Sequence, residues 1–250
     1  MAEQRESPGR PKVDPPDLAE HGARDATSDR RLFMRLIVID GGLAPSGIVK
    51  ALQGAGVEGC VYADAHQPGG VGVLTIHEDP ADLVEKVDPA LSPLLATDSG
   101  GGRHASVRHG MTMLGRTYAL GHEPDLDETL IDRPRRHAHL PDCPWVVWYP
   151  LRRSGAFARL DREEQMAILR EHGMIGMAFG QNDLAHDIRL ASHGLDLHDN
   201  DFTVGLVAPQ LATISKLVEA MRPTVQTSTY LERLGPFFVG RRLASFGGPG

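Results

Sequence analysis

The chain has 250 residues, 41% of them hydrophobic, and a formal net charge of −7 at pH 7. This length and apolar content suffice for one large domain or two modest ones. The negative net charge excludes a sequence-independent nucleic-acid surface, which needs an excess of basic residues. Because the sequence has neither a membrane-spanning apolar run nor a signal-peptide core, it predicts a soluble, cytoplasmic protein.

The two cysteines, Cys60 and Cys143, lie far apart in the chain. Their number and spacing give neither a disulfide framework nor a zinc site. We interpret both as structural thiols of a reducing compartment.

The first half combines a polar tail with one mixed unit. Residues 1–30 are rich in Pro and charged residues, so we predict a disordered tail. Residues 31–121 then alternate apolar runs with turn signals and helical spacing. The predicted strands are 32–39, 57–63, 71–76 and 111–120, and the predicted helices are 45–52 and 79–91.

Residues 122–144 are polar and rich in proline, which predicts a linker. Its histidines, His137 and His139, and the neighbouring arginines fit either a solvated loop or contact with an anionic ligand.

The second half, residues 145–245, repeats the pattern of the first. The predicted strands are 145–149, 202–207 and one that begins at 236, and the predicted helices are 161–172 and 209–221. Residues 176–191 are predicted to be extended. Both halves therefore have the order βαββαβ, which is typical of an α+β protein built from tandem ferredoxin-like units of the dimeric α/β-barrel type, with antiparallel sheets.

The helix ending at His172-Gly173 carries the main candidate for chemistry. Ile168 and Leu169 precede His172 by four and three positions, so all three share the inward face. A histidine presented in this way offers a neutral ring nitrogen to a metal. The alternatives are a core histidine bonded to a carbonyl and a cation at the helix C-terminus.

Other residues of the second half fit an anionic ligand. Tyr149 precedes the basic pair Arg152 and Arg153, and Arg222 closes the last long helix. A phenol beside guanidinium groups suits proton transfer next to a carboxylate. The alternatives are a tyrosine at a strand end and surface arginines. The chain has no His-Glu-x-x-His motif, Walker loop or nucleophile elbow.

Five short motifs of the second half occur in the order found in the chlorite dismutase superfamily, which this chain resembles from about residue 145 to residue 240. They are Trp148-Tyr149-Pro150 with Arg153, Glu171-His172-Gly173, Ser192-His193-Gly194-Leu195-Asp196, Met221-Arg222 and Leu234-Gly235-Pro236-Phe237-Phe238-Val239-Gly240. Members of this superfamily are tandem ferredoxin-like proteins that bind heme b or coproheme.

The resemblance implies a role for each matched residue. His172 is the expected proximal ligand of heme iron. Tyr149 is the expected catalytic radical of a coproheme decarboxylase. Arg153 and Arg222 are expected to bind propionates, and Trp148 is expected to contact the cofactor.

The distal side departs from the pattern. At the position where chlorite dismutases have Arg and many decarboxylases have Gln, this chain has Asp187, which we therefore assign as the distal catalytic residue. Arg189 keeps the same strand parity and is a weaker substitute, and His137 or His139 is an alternative distal histidine. The acid that usually supports the proximal histidine falls near Val225 and Gln226.

The activity implied by the resemblance is peroxide-dependent coproheme decarboxylation, an oxidoreductase reaction in which hydrogen peroxide is consumed. The alternatives are chlorite dismutation or a peroxidase-like activity, and a noncatalytic heme carrier or sensor. The superfamily also implies a homo-oligomer, commonly a pentamer.

Overall fold

The computed structural model of the protein describes residues 14–96 and 105–248. The strands in these ranges are β1 Glu20–His21, β2 Thr27–Ser28, β3 Phe33–Asp40, β4 Glu58–Asp64, β5 Val71–His77, β6 Ser106–Val107, β7 Met113–Arg116, β8 Trp145–Arg153, β9 His186–Ala191, β10 Phe202–Ala208, β11 Leu231–Leu234 and β12 Phe238–Phe246. The helices are α1 Pro45–Gly54, α2 Asp88–Ala96, α3 Arg133–His139, α4 Gly155–Ala158, α5 Arg162–Gln181, α6 Leu211–Met221 and α7 Val225–Tyr230. Single π-helical turns, Leu83–Val87 and Glu128–Asp132, lead into α2 and α3.

Eight of these strands form a closed antiparallel barrel to which each half of the chain contributes four. The order around the barrel is β3, β5, β4, β12, β8, β10, β9, β7, and β7 returns to β3. The halves meet where β4 pairs with β12 and where β7 pairs with β9. The predicted α+β class and the order βαββαβ in both halves are confirmed.

Side chains alternate between the inside of the barrel and the helices outside it, as the two-residue period of a strand requires. On β8, Val146 and Trp148 lie in the barrel core, whereas Val147, Tyr149 and Leu151 face outward. One outer core lies under α1 and α2, and a second lies under α5 and α6. Among the described residues, no helix is both long and apolar enough to cross a membrane.

The predicted tail contains regular structure in its second part. Residues 1–13 lie outside the described residues, but β1 and β2 pair to form a hairpin within the predicted tail. The Glu20 carboxylate pairs with Arg116 and accepts a hydrogen bond of 2.9 Å from the backbone N–H of Ala119. Polar composition misled the prediction here because these charges have partners on the barrel.

The predicted linker 122–144 is largely helical. Its apolar residues Leu130, Ile131 and Ala138 are buried in the barrel core. The sequence does not reveal that these residues belong to the core, because charged residues flank them in the chain. The division into units at residues 31–121 and 145–245 stays a prediction, since strands from both segments form one barrel.

The predicted end of the α5 helix at His172 is wrong, because α5 continues to Gln181. The prediction that residues 176–191 are extended is therefore wrong up to residue 181. Glycine lowers helix propensity without forbidding a helix. A Cβ atom on Gly173 would meet no atom within 4 Å, so no close contact requires a glycine at this position.

We predict that Gly205→Ala destabilises the protein. A Cβ atom at Gly205 on β10 would lie 2.6 Å from the ring of Trp148, which is enclosed in the barrel core. Overpacking of this kind costs about 1–3 kcal/mol of the free energy of unfolding, which urea denaturation measures.

The matched control is Gly47→Ala on α1, where the new Cβ atom would meet nothing within 4 Å. It should leave stability unchanged or raise it by up to about 1 kcal/mol. Equal unfolding midpoints for the two variants would contradict this assignment of the barrel interior.

Candidate functional site

The outer face of the second-half sheet brings several predicted residues together. Val204 on β10 pairs with Tyr149 on one side and with Arg189 on the other. The Cα atoms of Tyr149 and Arg189 are thus two strand spacings, or roughly 10 Å, apart. Asp187 lies in the next outward row, beside Leu206. Tyr149, Asp187 and Arg189 therefore face the helices α5 and α6.

His172 on α5 has one ring nitrogen occupied and one without a protein partner. Its Nδ1 lies 3.1 Å from Thr224 Oγ1, and that hydroxyl donates to the Met221 carbonyl at 2.8 Å. Because the single hydroxyl proton is used there, Thr224 accepts from His172 Nδ1–H. Nε2 then carries the lone pair, and none of residues 14–96 and 105–248 hydrogen-bonds it.

The electrostatics around His172 favour its neutral form. Burial lowers the pKa of His172, and the positive charge of Arg153 lowers it further, against a smaller opposing effect of Glu171. A neutral imidazole is the form that ligates a metal. This histidine is therefore prepared for coordination through Nε2.

The half-buried guanidinium of Arg153 makes no ion pair within the described residues, although the Asp201 carboxylate, which accepts the Arg153 backbone N–H at 2.8 Å, is close enough for its charge to oppose the effect of burial on the Arg153 pKa. The guanidinium carbon of Arg153 lies 4.5 Å from the ring centre of Phe202 and 4.9 Å from that of Phe157. Nη2 is 3.4 Å from Gln226 Oε1, and the buried Nε has no partner. Burial lowers the pKa of Arg153. A guanidinium with unfilled donors in this setting is suited to bind a carboxylate.

The charges of Asp187 and Arg222 act on the pKa of Tyr149 in opposite directions. Burial raises the pKa of Tyr149 well above its usual range, with a further increase from Asp187 and an opposing effect of Arg222. Arg222 caps the C-terminus of α6 and is exposed. It lines an open cavity of about 210 Å³ together with Thr227 and residues of β11.

The position of Trp148 differs from the sequence prediction that it contacts the cofactor. Its side chain is 1% exposed and lies in the barrel core, on the opposite face of β8 from Tyr149. Adjacent residues of a strand point to opposite faces, so Trp148 does not contact a cofactor held on the Tyr149 face. The motif predicts the strand on which Trp148 lies but not the face of the strand to which its side chain points.

The distal side contains an ion pair rather than an isolated acid. Arg189 Nε lies 2.9 Å from Asp187 Oδ2, and both side chains are partly exposed. Arg189, the weaker substitute in the sequence, therefore places a guanidinium on this face, where it is paired with Asp187. His137 lies nearby, because its Nδ1 donates to the backbone carbonyl of Asp187 at 2.8 Å. His139 points elsewhere, toward Glu58.

Sequence reasoning missed two residues of this site, Thr224 and Tyr118, and the contact that Gln226 makes. Thr224 is buried and holds His172, whereas Gln226, expected near the supporting position of that histidine, is buried and contacts Arg153. Tyr118 is a half-buried phenol close enough to Arg189 and Arg153 for their charges to lower its pKa, although burial raises it overall. The sequence feature that could have indicated Thr224 is its position two residues after Arg222. Nothing in the sequence around Tyr118 distinguishes it from a strand tyrosine.

Helix α5 leaves its inner surface partly uncovered. It has 20 residues, yet none of them is fully buried. Its apolar inward residues, including Ile175 and Phe179, are half-buried at the edge of the second outer core. An apolar surface, a free imidazole nitrogen and a buried guanidinium thus adjoin one another. Within the described part of the chain, no three His, Cys, Asp or Glu side chains are placed to hold a metal ion together.

Comparison with known proteins finds one matching family model and several solved structures of similar fold. Residues 127–243 match the family model described as chlorite dismutase. A structure provisionally described as a chlorite dismutase is 14% identical, with a TM-score of 0.64, over 85% of this chain and 95% of that chain.

Two further solved structures share the fold. A novel heme-binding protein from Thermus thermophilus is 18% identical, with a TM-score of 0.63, over 86% of this chain and 92% of its own. A chlorite dismutase variant from Candidatus Nitrospira defluvii is 15% identical, with a TM-score of 0.60, over 87% of this chain and 93% of its own. At these identities the similarity establishes the fold.

We predict that Arg153→Gln raises the pKa of His172 in the ligand-free protein. The substitution removes a positive charge that disfavours the imidazolium form. Titration of the histidine ring resonances by NMR measures the shift. Arg152→Gln is the matched control, because Arg152 is the neighbouring residue on β8 and its guanidinium is paired with Asp199. Identical His172 titrations in the two variants would contradict the proximity of Arg153 to His172.

Proposed function

We propose that this chain is a member of the chlorite dismutase superfamily and that it binds heme b or coproheme on the outer face of its second-half sheet, with His172 Nε2 as the iron ligand. The observation that carries the proposal is the hydrogen bond from His172 Nδ1 to Thr224, which leaves Nε2 free and unprotonated. A hydrogen-bond acceptor on the far ring nitrogen orients a ligating histidine.

The surrounding residues fit a porphyrin that carries carboxylates. The half-covered apolar face of α5 suits the flat ring, and Arg153, whose Nε lacks a partner, suits a propionate. Arg222, at the end of α6, is the second proposed propionate contact. An uncharged partner on Nδ1 gives His172 less anionic character than a carboxylate would.

For the reaction we propose peroxide-dependent decarboxylation of coproheme. The bound iron porphyrin supplies the oxidising equivalent that hydrogen peroxide provides. Tyr149 holds its proton at neutral pH, because burial keeps its pKa high. It would therefore give up its proton, together with an electron to that oxidant, and the phenoxyl oxygen so formed would take a hydrogen atom from the β-carbon of a propionate. That propionate would then lose carbon dioxide and pass one further electron to the same oxidant, which leaves a vinyl group. Asp187 is the proposed distal residue that interacts with Tyr149 through its charge.

We predict that His172→Ala weakens porphyrin binding and abolishes histidine ligation of the iron. Titration with coproheme, followed by the optical and electron paramagnetic resonance spectra, measures both. The control is His198→Ala, which changes an exposed histidine in the loop between β9 and β10. Unchanged iron ligation in His172→Ala would overturn the proposal.

We predict that Tyr149→Phe binds coproheme normally but loses decarboxylation by at least about 100-fold, the usual contribution of a residue that transfers the proton in a reaction. Mass spectrometry of the porphyrin after peroxide addition measures the loss of carboxylates. A Tyr149→Phe variant that still forms heme b would remove Tyr149 from the reaction while leaving the binding proposal intact.

Chlorite dismutation is a second candidate because of Arg189. Its guanidinium is on the Tyr149 face, where it suits an anionic oxidant. Its pairing with Asp187 opposes that use, since the carboxylate already occupies Nε. Oxygen release from chlorite by the heme-loaded protein would favour this candidate. Heme binding with neither activity would leave a carrier or sensor.

A further inference from the structure

A second group of ionisable side chains lies inside the barrel wall, away from the proposed porphyrin face. Cys60 on β4 has its Sγ 3.8 Å from His139 Nδ1, and His139 Nε2 lies 3.1 Å from Glu58 Oε1. Arg135 in turn donates to Glu58 at 2.9 Å. A thiol, an imidazole and a carboxylate are thus connected in sequence.

The geometry of His139 decides what this group can do. Its two ring nitrogens point in opposite directions, one to the thiol and one to the carboxylate. Such an arrangement transfers a proton between the two partners and does not let the three side chains chelate one metal. It is the arrangement by which a histidine activates a nucleophile.

His139 lowers the pKa of the Cys60 thiol, while the protonated thiol has a competing acceptor in the Ala138 carbonyl, 3.3 Å from Sγ. Burial alone would raise the pKa of Cys60, but the hydrogen bond and charge of His139 outweigh burial, so the pKa lies below its usual value. Burial lowers the pKa of His139, and Cys60 and Glu58 outweigh this effect and raise it to about 9. Ser245, whose Oγ lies 3.5 Å from the sulfur, also favours the thiolate.

Two buried hydrogen-bond donors of the barrel core, one of them beside the thiol, have no acceptor. The hydroxyl of Tyr62 and the Nε1 of Trp148 are both buried in the barrel core without a partner. Tyr62 is close enough to Cys60 for each group to change the pKa of the other. Unpaired buried donors are costly, and one oxygen atom added at the sulfur would give the Tyr62 hydroxyl an acceptor.

Cys143 provides a contrast within the same chain. It is also free and buried, but burial raises its pKa and no described side chain bonds its sulfur. The interpretation as a structural thiol therefore still suits Cys143, whereas Cys60 has polar partners that Cys143 lacks.

We propose that Cys60 is an oxidation site that reacts with small hydroperoxides to form a sulfenic acid. The thiolate sulfur attacks one peroxide oxygen, so that an S–O bond forms as the O–O bond breaks. Sulfur is oxidised by two electrons and the peroxide is reduced. The leaving hydroxide takes the proton of the His139 imidazolium, which yields water and a neutral imidazole.

Burial restricts which oxidant reaches this thiol. Cys60 is fully buried, the side chain of His139 is 10% exposed, and the backbone of Gly248 lies against the His139 ring. Buried thiols are normally unreactive. Hydrogen peroxide has nearly the size of water, so the site should accept it and exclude bulky hydroperoxides and aromatic disulfides.

The test compares the two cysteines of one chain, so that any consumption of peroxide by a bound cofactor cancels. The full-length protein is treated with hydrogen peroxide, unfolded in dimedone at timed intervals and analysed by mass spectrometry. Cys60 should be tagged at least about tenfold faster than Cys143, because only Cys60 has a histidine beside its sulfur that lowers the pKa of the thiol. Equal rates, or faster tagging of Cys143, would overturn the proposal.

Two variants test the mechanism. His139→Gln should bring the rate at Cys60 down to within about twofold of that at Cys143, because it removes the imidazolium. Tyr62→Phe removes only an unpaired hydroxyl, so it should fold, yet it should slow oxidation at Cys60. If neither variant slows Cys60, or if Tyr62→Phe folds and reacts at the parent rate when His139→Gln fails to fold, the proposed site is wrong. The result does not depend on the proposed porphyrin site.

Discussion

The two-residue period of β8 is the constraint on which the rest of this molecule depends. This strand pairs with β10, β12 and β11, so it closes the barrel and fixes the register of the second half. Val146 and Trp148 fill the interior, while Tyr149 and Leu151 face the helices. A shift of one residue would exchange these two sets, placing the phenol in the barrel and the indole in the proposed porphyrin site.

On the outer face, the position of His172 depends on the segment after α6. Thr224 holds Nδ1 of His172, and Glu171 accepts the backbone N–H of Val225 at 2.9 Å, so α5 and the start of α7 are joined at two neighbouring points. Gln226 in turn contacts Arg153 on β8. One short helix therefore sets both the imidazole and the guanidinium, which explains how a weakly buried α5 presents its histidine in a defined orientation.

Much of the fold was predictable because the apolar spacing of the strands and of α1 and α6 is strong. The closure of the two units into one barrel was not, because pairing between β4 and β12 joins residues that are distant in sequence. The roles of Tyr149 and Trp148 show the same limit. Both belong to one motif, and only the strand register separates an outward phenol from an inward indole. The sequence pattern misplaces the end of α5 at Gly173, because a glycine can continue a helix.

The residues that support the site were the least predictable. Thr224 and Gln226 act through hydrogen bonds between elements, and neither residue type nor spacing reveals such partners. The same is true of Cys60 and His139, which are brought together by β4 and α3. In each case the chemistry depends on which nitrogen or oxygen is already occupied.

The central claim is that His172 Nε2 is the axial ligand of a porphyrin iron. It is tested most directly by the iron–nitrogen stretching band in resonance Raman spectra of the ferrous, coproheme-loaded protein, prepared with ordinary histidine and with histidine enriched in heavy nitrogen. The account predicts a band that shifts on enrichment, is absent from His172→Gly and returns when free imidazole is added. A band that persists unchanged in His172→Gly would contradict it.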